Sequence, residues 1–192
     1  MNAKPVPVGV SARHIHLTKE HIAALFGENY ELKPLKPLSQ PGQYAAEETV
    51  AIVGPKGRFD KVRILGPARS ASQIEISKTD SFQLGVAPPV RESGKIDGTP
   101  GMIVQGPAGR ITLERGVIIA ARHIHFHTDE AAAWGIADKQ PLRVKVEGER
   151  SVVFENVIAR VSDHYALDMH MDTDEANAAG VSTGDKAYIL DD

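Results

Sequence analysis

The chain has 192 residues, of which 42% are hydrophobic and 24% charged, and a formal net charge of −3 at neutral pH. This composition is typical of a globular protein, and the slightly acidic balance argues against a nucleic acid or an anionic membrane as partner. The absence of cysteine excludes disulfides, a thiolate nucleophile and cysteine-based metal sites. No apolar run reaches the ~18 residues of a membrane-spanning helix, and the first residues do not resemble a signal peptide. We therefore expect a cytoplasmic protein.

Short runs rich in valine and isoleucine recur along the chain, mostly bounded by glycine, proline or charged residues. Many short strands between turn residues predict a mainly β protein of the sandwich or barrel type rather than alternating β-α units. The runs cover residues 49–53, 58–65, 102–104, 110–113, 116–126, 142–146, 151–161 and 186–190.

Three short helices are predicted over residues 18–27, 128–135 and 173–180, with a degenerate fourth copy over residues 79–85. Each segment begins with threonine, has an acidic residue near its start and ends at glycine. Because threonine is a favourable N-cap and glycine a common helix stop, we predict Thr18, Thr128 and Thr173 as caps. These helices are expected to cover the ends of barrels.

The clearest internal repeat is the five-residue sequence Ala-Arg-His-Ile-His, which occurs within residues 11–17 and again within residues 120–126. Each copy is followed by one of the predicted helices. The repeat indicates a duplicated barrel-like unit. The proline- and glycine-rich stretch 87–101 has the composition of a linker and would divide the chain near its middle.

Each copy places two histidines at alternate positions, His14 with His16 and His123 with His125. Residues two apart in a strand lie on the same face, about 6.5–7 Å apart, so two imidazoles can share one metal ion. Imidazole suits Zn, Fe, Ni and Cu. An isolated His-x-His pair is more often a polar face turned to solvent, and it is the duplication that favours a metal site.

Two further segments, residues 72–77 and 167–172, each place one metal-capable side chain between two apolar neighbours. Taken as repeat equivalents, these segments supply a third ligand to each histidine pair. Considered alone, Glu75 is more simply a solvent-facing residue of an edge strand. Three protein ligands with an open position are the pattern of catalytic metal sites. The predicted sets are His14, His16 and Glu75 for one ion and His123, His125 and His170 for the other.

Basic residues form the second candidate feature. Arg69 lies six residues before Glu75 in a loop rich in small residues, where a guanidinium near a metal is well suited to hold an oxyanion such as phosphate. An arginine in such a loop is, however, more commonly an exposed residue without a binding role. Three further basic residues either line a groove that binds an anion or are solvated charges: Lys33, Lys36 and Arg63.

The two Arg-His-Ile-His motifs, the segment from Met169 to Asn177, and Arg69 ahead of Ile74-Glu75-Ile76 together resemble the PduL-type phosphotransacylase family (phosphate propanoyltransferase). The resemblance runs from about Val8 to Leu190. It implies an acyltransferase that converts acyl-CoA and phosphate to acyl phosphate and CoA with two zinc ions, one on each ligand set given above. It also implies that Arg69 anchors phosphate and that coenzyme A contacts Ser11, Lys36, Arg63, Leu65 and Asn177.

The family fold implies two tandem closed β-barrels capped by short α-helices, with the metal site at the barrel junction. It also implies that the chain is not divided at the stretch 87–101, and this arrangement is preferred because a sequence repeat does not determine which strands pair. Residues 1–12 with 121–192 would form one barrel, residues 13–26 with 48–120 the other, and residues 27–47 an inserted hairpin. Family members in bacterial microcompartments often carry an N-terminal packaging helix that this sequence lacks. A microcompartment lumen is therefore expected only if the native N-terminus carries such a peptide. Homo-oligomerisation and microcompartment partners stay open.

Parts of the sequence are also compatible with two other functions. His14-x-His16 followed by Glu20 resembles part of a cupin-like metal site, although Glu20 lies at the start of a predicted helix. A non-catalytic module that assembles with microcompartment proteins is the second. The sequence does not separate propanoyl from acetyl substrates, which differ by one methylene worth about 1–3 kcal/mol in a pocket.

Overall fold

The computed structural model describes residues 4–190 and shows a mainly β chain with four short helices. The helices are α1 (Lys19–Phe26), α2 (Lys78–Leu84), α3 (Thr128–Trp134) and α4 (Thr173–Ala179). The strands are β1 (Lys4–Ser11), β2 (His14–His16), β3 (Pro34–Pro37), β4 (Tyr44–Val53), β5 (Arg58–Gly66), β6 (Gln73–Glu75), β7 (Val90–Arg91), β8 (Met102–Gln105), β9 (Arg110–Leu113), β10 (Val117–Ala120), β11 (His123–Phe126), β12 (Pro141–Val146), β13 (Val152–Val161), β14 (Asp168–Asp172) and β15 (Lys186–Ile189).

The chain divides into two compact units. Within residues 4–190, unit 1 comprises 4–11, the short segment Ser39–Pro41 and 121–190, and unit 2 comprises Ala12–Leu38 and Gly42–Ala120. The chain changes units directly before each copy of the repeat Ala-Arg-His-Ile-His. The stretch 87–101 lies inside unit 2, so its prediction as a linker between the halves is wrong.

Unit 1 contains a closed six-stranded barrel in the order β1-β14-β11-β13-β12-β15. Strands β1 and β14 run parallel, as do β11 and β13, and the other neighbours are antiparallel. Ile124, Phe126, Met169 and Met171 of β11 and β14 belong to its buried core. Because side chains alternate along a strand, the histidines between these residues lie on the opposite face.

Unit 2 is built on a nine-stranded sheet in the order β7-β10-β6-β2-β5-β4-β8-β9, with β3 paired to β4. Ile15, Leu17, Ile74 and Ile76 of the β2 and β6 segments belong to its buried core. The mainly β fold with a barrel is confirmed, but this second sheet has two free ends and is not the closed barrel expected. Its end strand β7 has two residues and follows Pro88-Pro89, which have no N–H to donate to a further strand.

Several sequence predictions need correction at element ends. The run 116–126 forms two strands, β10 and β11, that belong to different units. Thr18 caps α1 as predicted, but Thr128 and Thr173 are the first residues of α3 and α4, whose N-caps are His127 and Asp172. The inserted hairpin at residues 27–47 and the exact domain limits stay predictions. None of the helices within residues 4–190 is long and apolar enough to span a bilayer.

Candidate metal centres and anion site

The first candidate centre lies in unit 2, where β2 pairs antiparallel with β6. The register places Glu75 opposite His14 and Gln73 opposite His16. Nε2 of His14 is 3.4 Å from Oε2 of Glu75, and Nε2 of His16 is 3.8 Å from Oε1. The His14 ring is held by a 2.9 Å hydrogen bond from Nδ1 to the carbonyl of Ala12. One ligand atom from each of the three residues lies within 4.8 Å of the others.

The second candidate centre lies in unit 1 and repeats this arrangement. Strand β11 pairs antiparallel with β14, so that His123 is opposite His170 and His125 opposite Asp168. Nδ1 of His123 donates to the carbonyl of Ala121 at 2.8 Å, and its Nε2 is 3.1 Å from Nε2 of His125. One ligand atom of each of His123, His125 and His170 lies within 4.8 Å of the others. The two centres therefore share one backbone design.

Burial and neighbouring charge set the protonation of these groups. Burial, together with the charge of His14, lowers the pKa of His16 to about 3, and burial with the charge of His123 lowers the pKa of His125 to about 2. In contrast, burial alone would lower the pKa of His14, but attraction and hydrogen bonding to Glu75 outweigh it and raise that pKa. The charge of His14 likewise outweighs burial and holds the pKa of Glu75 well below its usual range. At neutral pH, His16 and His125 are neutral, the form that binds metals.

The donor chemistry of both groups fits a divalent cation such as zinc. Each group offers three nitrogen or carboxylate donors, which is the number found in catalytic zinc sites. Nδ1 of His125 is buried and has no hydrogen-bond partner within the described residues. A buried polar nitrogen without a partner is costly, and a bound cation or small ligand would offset that cost.

Arg69 lies beside the unit 2 centre. Its backbone N–H donates to the carbonyl of Leu17, and Nη1 donates to Oγ of Ser93 at 3.1 Å. The Ser93 hydroxyl donates in turn to Oε1 of Glu75 at 3.0 Å. A single hydroxyl thus links the predicted anion-binding arginine to a predicted metal ligand. Ser93 was missed at the sequence level, because nothing in its local sequence indicates that its loop reaches β6.

The predicted coenzyme A contacts fall in both units. In unit 2, Lys36 of β3 and Leu65 of β5 both pair with Ala45 of β4, so they lie on the two strands that flank β4. Arg63 is half-buried opposite His14 in the parallel β2–β5 pair. Its Nη1 donates to the carbonyls of Ala46 and Glu47.

The other two predicted contacts are in unit 1. Ser11 is the last residue of β1 and pairs with Asp172, and Asn177 is exposed on α4. His127 belongs to neither candidate group, and its Nδ1 accepts the backbone N–H of Asp129 as the cap of α3.

Comparison with known proteins finds one family. A family model described as phosphate propanoyltransferase matches residues 7–182. A phosphate propanoyltransferase of Thermotoga maritima is 56% identical over 185 residues, which are 96% of this chain and 88% of that protein. One of Priestia megaterium is 54% identical over 184 residues, 96% of this chain and 85% of the relative. One of Enterococcus faecalis is 48% identical over 183 residues, 95% and 87% of the two chains.

Proposed function

Because the chain belongs to the phosphate propanoyltransferase family and is an acyltransferase, we propose that it exchanges a propanoyl group between coenzyme A and phosphate with one zinc ion held in each unit. The observation that carries the zinc proposal is the repeated register of β2–β6 and β11–β14, which assembles three donors in each unit. Acetyl-CoA is the second proposed substrate. The two ions would be held by His14, His16 and Glu75 and by His123, His125 and His170.

The proposed reaction is a direct displacement. A phosphate oxygen forms a bond to the thioester carbonyl carbon while the carbon–sulfur bond breaks, and the proton lost by phosphate ends on the coenzyme A sulfur. Bound zinc supplies a Lewis acid for charge that develops on oxygen or sulfur. The chain has no cysteine to carry an acyl group and no Gly-x-Ser-x-Gly nucleophile motif. Much of the rate acceleration then comes from positioning two substrates together.

Arg69 is the proposed catalytic residue of this scheme. Its guanidinium can hold two phosphate oxygens and fix the attacking oxygen, while Ser93 and the Leu17 carbonyl restrain the residue. Ser11, Lys36, Arg63, Leu65 and Asn177 are the proposed contacts of coenzyme A. The positive charges of Lys36 and Arg63 suit the phosphate groups of that cofactor.

The test is the rate of propanoyl-CoA formation from propanoyl phosphate and coenzyme A before and after removal of metal by a chelator. We expect activity to disappear on chelation and to return with zinc. His14→Ala and His123→Ala should each abolish activity, whereas His164→Ala, a change at an exposed histidine outside both groups, should not. Full activity in the metal-free protein would contradict the role of zinc, and a metal-loaded, folded protein without propanoyl or acetyl transfer would contradict the proposed reaction.

The geometry does not favour the cupin-like alternative. Glu20 lies in the first turn of α1 and is exposed, and neither metal-capable group found within residues 4–190 includes it. The third member of the unit 2 group is Glu75, which lies on the separate strand β6 and not in the segment that follows His14 and His16. Assembly with microcompartment proteins, location in a microcompartment lumen and homo-oligomerisation stay predictions.

A further inference from the structure

The residue two positions before the third ligand occupies the same place in both units. In unit 2 this residue is Gln73, which pairs with His16, and in unit 1 it is Asp168, which pairs with His125. Both side chains are buried, with Gln73 2% and Asp168 5% exposed. A buried polar side chain must be hydrogen-bonded, and each of these two is bonded to the third ligand itself.

Gln73 presents a donor to Glu75. Its Nε2 donates to Oε1 of Glu75 at 2.6 Å and to Oγ of Ser93 at 2.8 Å. Its Oε1 accepts the backbone N–H of Gly94 at 2.7 Å. Because the Gly94 N–H can only donate, it requires the amide oxygen on its side and the amide nitrogen on the side of Glu75.

Asp168 presents an acceptor to His170. Oδ2 of Asp168 accepts a 2.9 Å hydrogen bond from Nε2 of His170, and the exposed Ser39 hydroxyl lies 3.4 Å from the same nitrogen. An ionised carboxylate only accepts, so Nε2 carries the hydrogen and Nδ1 retains the lone pair that can bind a metal. Strand β1 passes close to this pair at Gly9, which is opposite His170. A Cβ atom at Gly9 would lie 2.9 Å from Oδ2 of Asp168 and 3.1 Å from Cδ2 of His170.

Gln73 offers a hydrogen-bond donor and Asp168 an acceptor, and each matches the ligand that it contacts. A carboxylate ligand needs a donor to orient it, and unit 2 has an amide there; an imidazole ligand needs an acceptor, and unit 1 has a carboxylate there. We propose that Gln73 and Asp168 are positioning residues that fix the orientation of the third metal ligand in each unit. Partners of this kind raise metal affinity because the ligand is held in its binding geometry before the metal arrives. The inference rests on the proposed zinc sites.

The test measures zinc affinity at one site at a time by competition with a chromophoric chelator. Glu75→Ala leaves the unit 1 site for measurement, and His170→Ala leaves the unit 2 site. In these backgrounds we expect Asp168→Ala and Gln73→Ala, respectively, to weaken zinc binding by about 10–100-fold. Asp129→Ala and Gln83→Ala, changes at exposed residues of the same types, should leave the affinities unchanged.

Folding is monitored by circular dichroism of the metal-free proteins, since a structural role alone would lower stability without a selective loss of zinc affinity. Should Asp168→Ala not fold, Asp168→Asn keeps the shape and loses the charge, and we expect it to weaken zinc binding by about tenfold. Zinc affinity within twofold of the background in the folded variants would overturn the inference. If the single-site backgrounds bind zinc normally, such a result leaves the proposed function intact, whereas absence of zinc binding in the unmodified protein overturns both proposals.

The matching of donor and acceptor can be tested by exchanging the pair. In the His170→Ala background, Glu75→His places an imidazole next to the amide of Gln73, and the double change Glu75→His with Gln73→Asp reproduces the pair of unit 1. We expect the double variant to bind zinc more tightly than Glu75→His alone. Equal or weaker binding by the double variant would overturn the proposed matching.

Discussion

Among single residues, Arg69 connects anion chemistry to metal chemistry. Its side chain reaches Glu75 through the hydroxyl of Ser93. Burial raises the pKa of Glu75, but the charge and hydrogen bond of His14 outweigh burial and hold that pKa well below its usual range. In the proposed reaction the guanidinium of Arg69 binds phosphate and does not contact the acyl chain. Loss of this side chain should therefore affect one substrate selectively.

We predict that Arg69→Ala raises the KM for phosphate by at least about tenfold, since hydrogen bonds to charged groups contribute about 1.5–3 kcal/mol. The measurement is the rate of propanoyl phosphate formation as phosphate is varied at saturating propanoyl-CoA. Arg91→Ala, a change at an exposed arginine of β7, is the matched control and should leave the KM unchanged. An unaltered phosphate dependence in Arg69→Ala would remove Arg69 from the proposed mechanism.

Gly9 is a second single-residue test, because a methyl group there would meet Asp168 and His170 at closer than normal contact distance. We predict that Gly9→Ala weakens zinc binding at the unit 1 site, measured in the Glu75→Ala background. Gly148→Ala is the control in the same unit, since nothing lies within 4 Å of its new Cβ although its φ of +139° makes the change strained. Equal zinc affinity in the two variants would show that the space at Gly9 does not matter to the site.

At the level of elements, an arginine connects each ligand-bearing strand pair, β2–β6 or β11–β14, to the helix that follows its third ligand. Arg13 binds both carboxylate oxygens of Asp80, at 3.0 and 2.7 Å, and Arg122 binds Glu175 at 2.7 Å. Asp80 and Glu175 are the capping-box residues in the first turns of α2 and α4. The arginine of each repeated motif thus connects the strand that carries two ligands to the segment that carries the third.

We predict that Arg13→Ala lowers the free energy of unfolding by about 1–3 kcal/mol, because it leaves the nearly buried carboxylate of Asp80 without its ion-pair partner. Denaturant titration of the metal-free protein measures this change. Arg58→Ala removes an exposed ion pair with Asp60 and should change stability by less than about 1 kcal/mol. Equal losses in the two variants would contradict the assignment of a structural role to the Arg13–Asp80 pair.

For the whole molecule, the proposed zinc sites join strands that are distant in sequence within each unit, so zinc should stabilise the folded protein. A ligand at 100 times its Kd adds about 2.7 kcal/mol to the free energy of unfolding. We predict that saturating zinc raises the Tm of the unmodified protein. The double variant Glu75→Ala with His170→Ala should show a much smaller rise, and the same rise in both proteins would indicate that zinc binds elsewhere.

Several features of the fold and the candidate sites could be predicted from local sequence. Alternation in the two His-x-His motifs determined that the histidines share a strand face, and the repeated segments around Glu75 and His170 pointed to a third ligand. The structure brings the three side chains of each group together, and their role as metal ligands stays a prediction. Glycines at the helix ends and the Thr18 cap were also readable, because capping depends on neighbouring residues.

Other features were decided only by tertiary structure, because they depend on pairing between distant segments. One copy of the repeat lies in the closed barrel of unit 1 and the other in the open sheet of unit 2. The local sequence does not determine this difference, because closure depends on whether the two end strands of a sheet pair with each other. Gln73 and Asp168 each stand two residues before a predicted third ligand, Glu75 or His170. The sequence does not show that their side chains bind that ligand, because these hydrogen bonds form only in the folded strand pairs. The sequence by itself determined which residues could bind a metal, whereas strand register and burial decided which of them meet and how each is held.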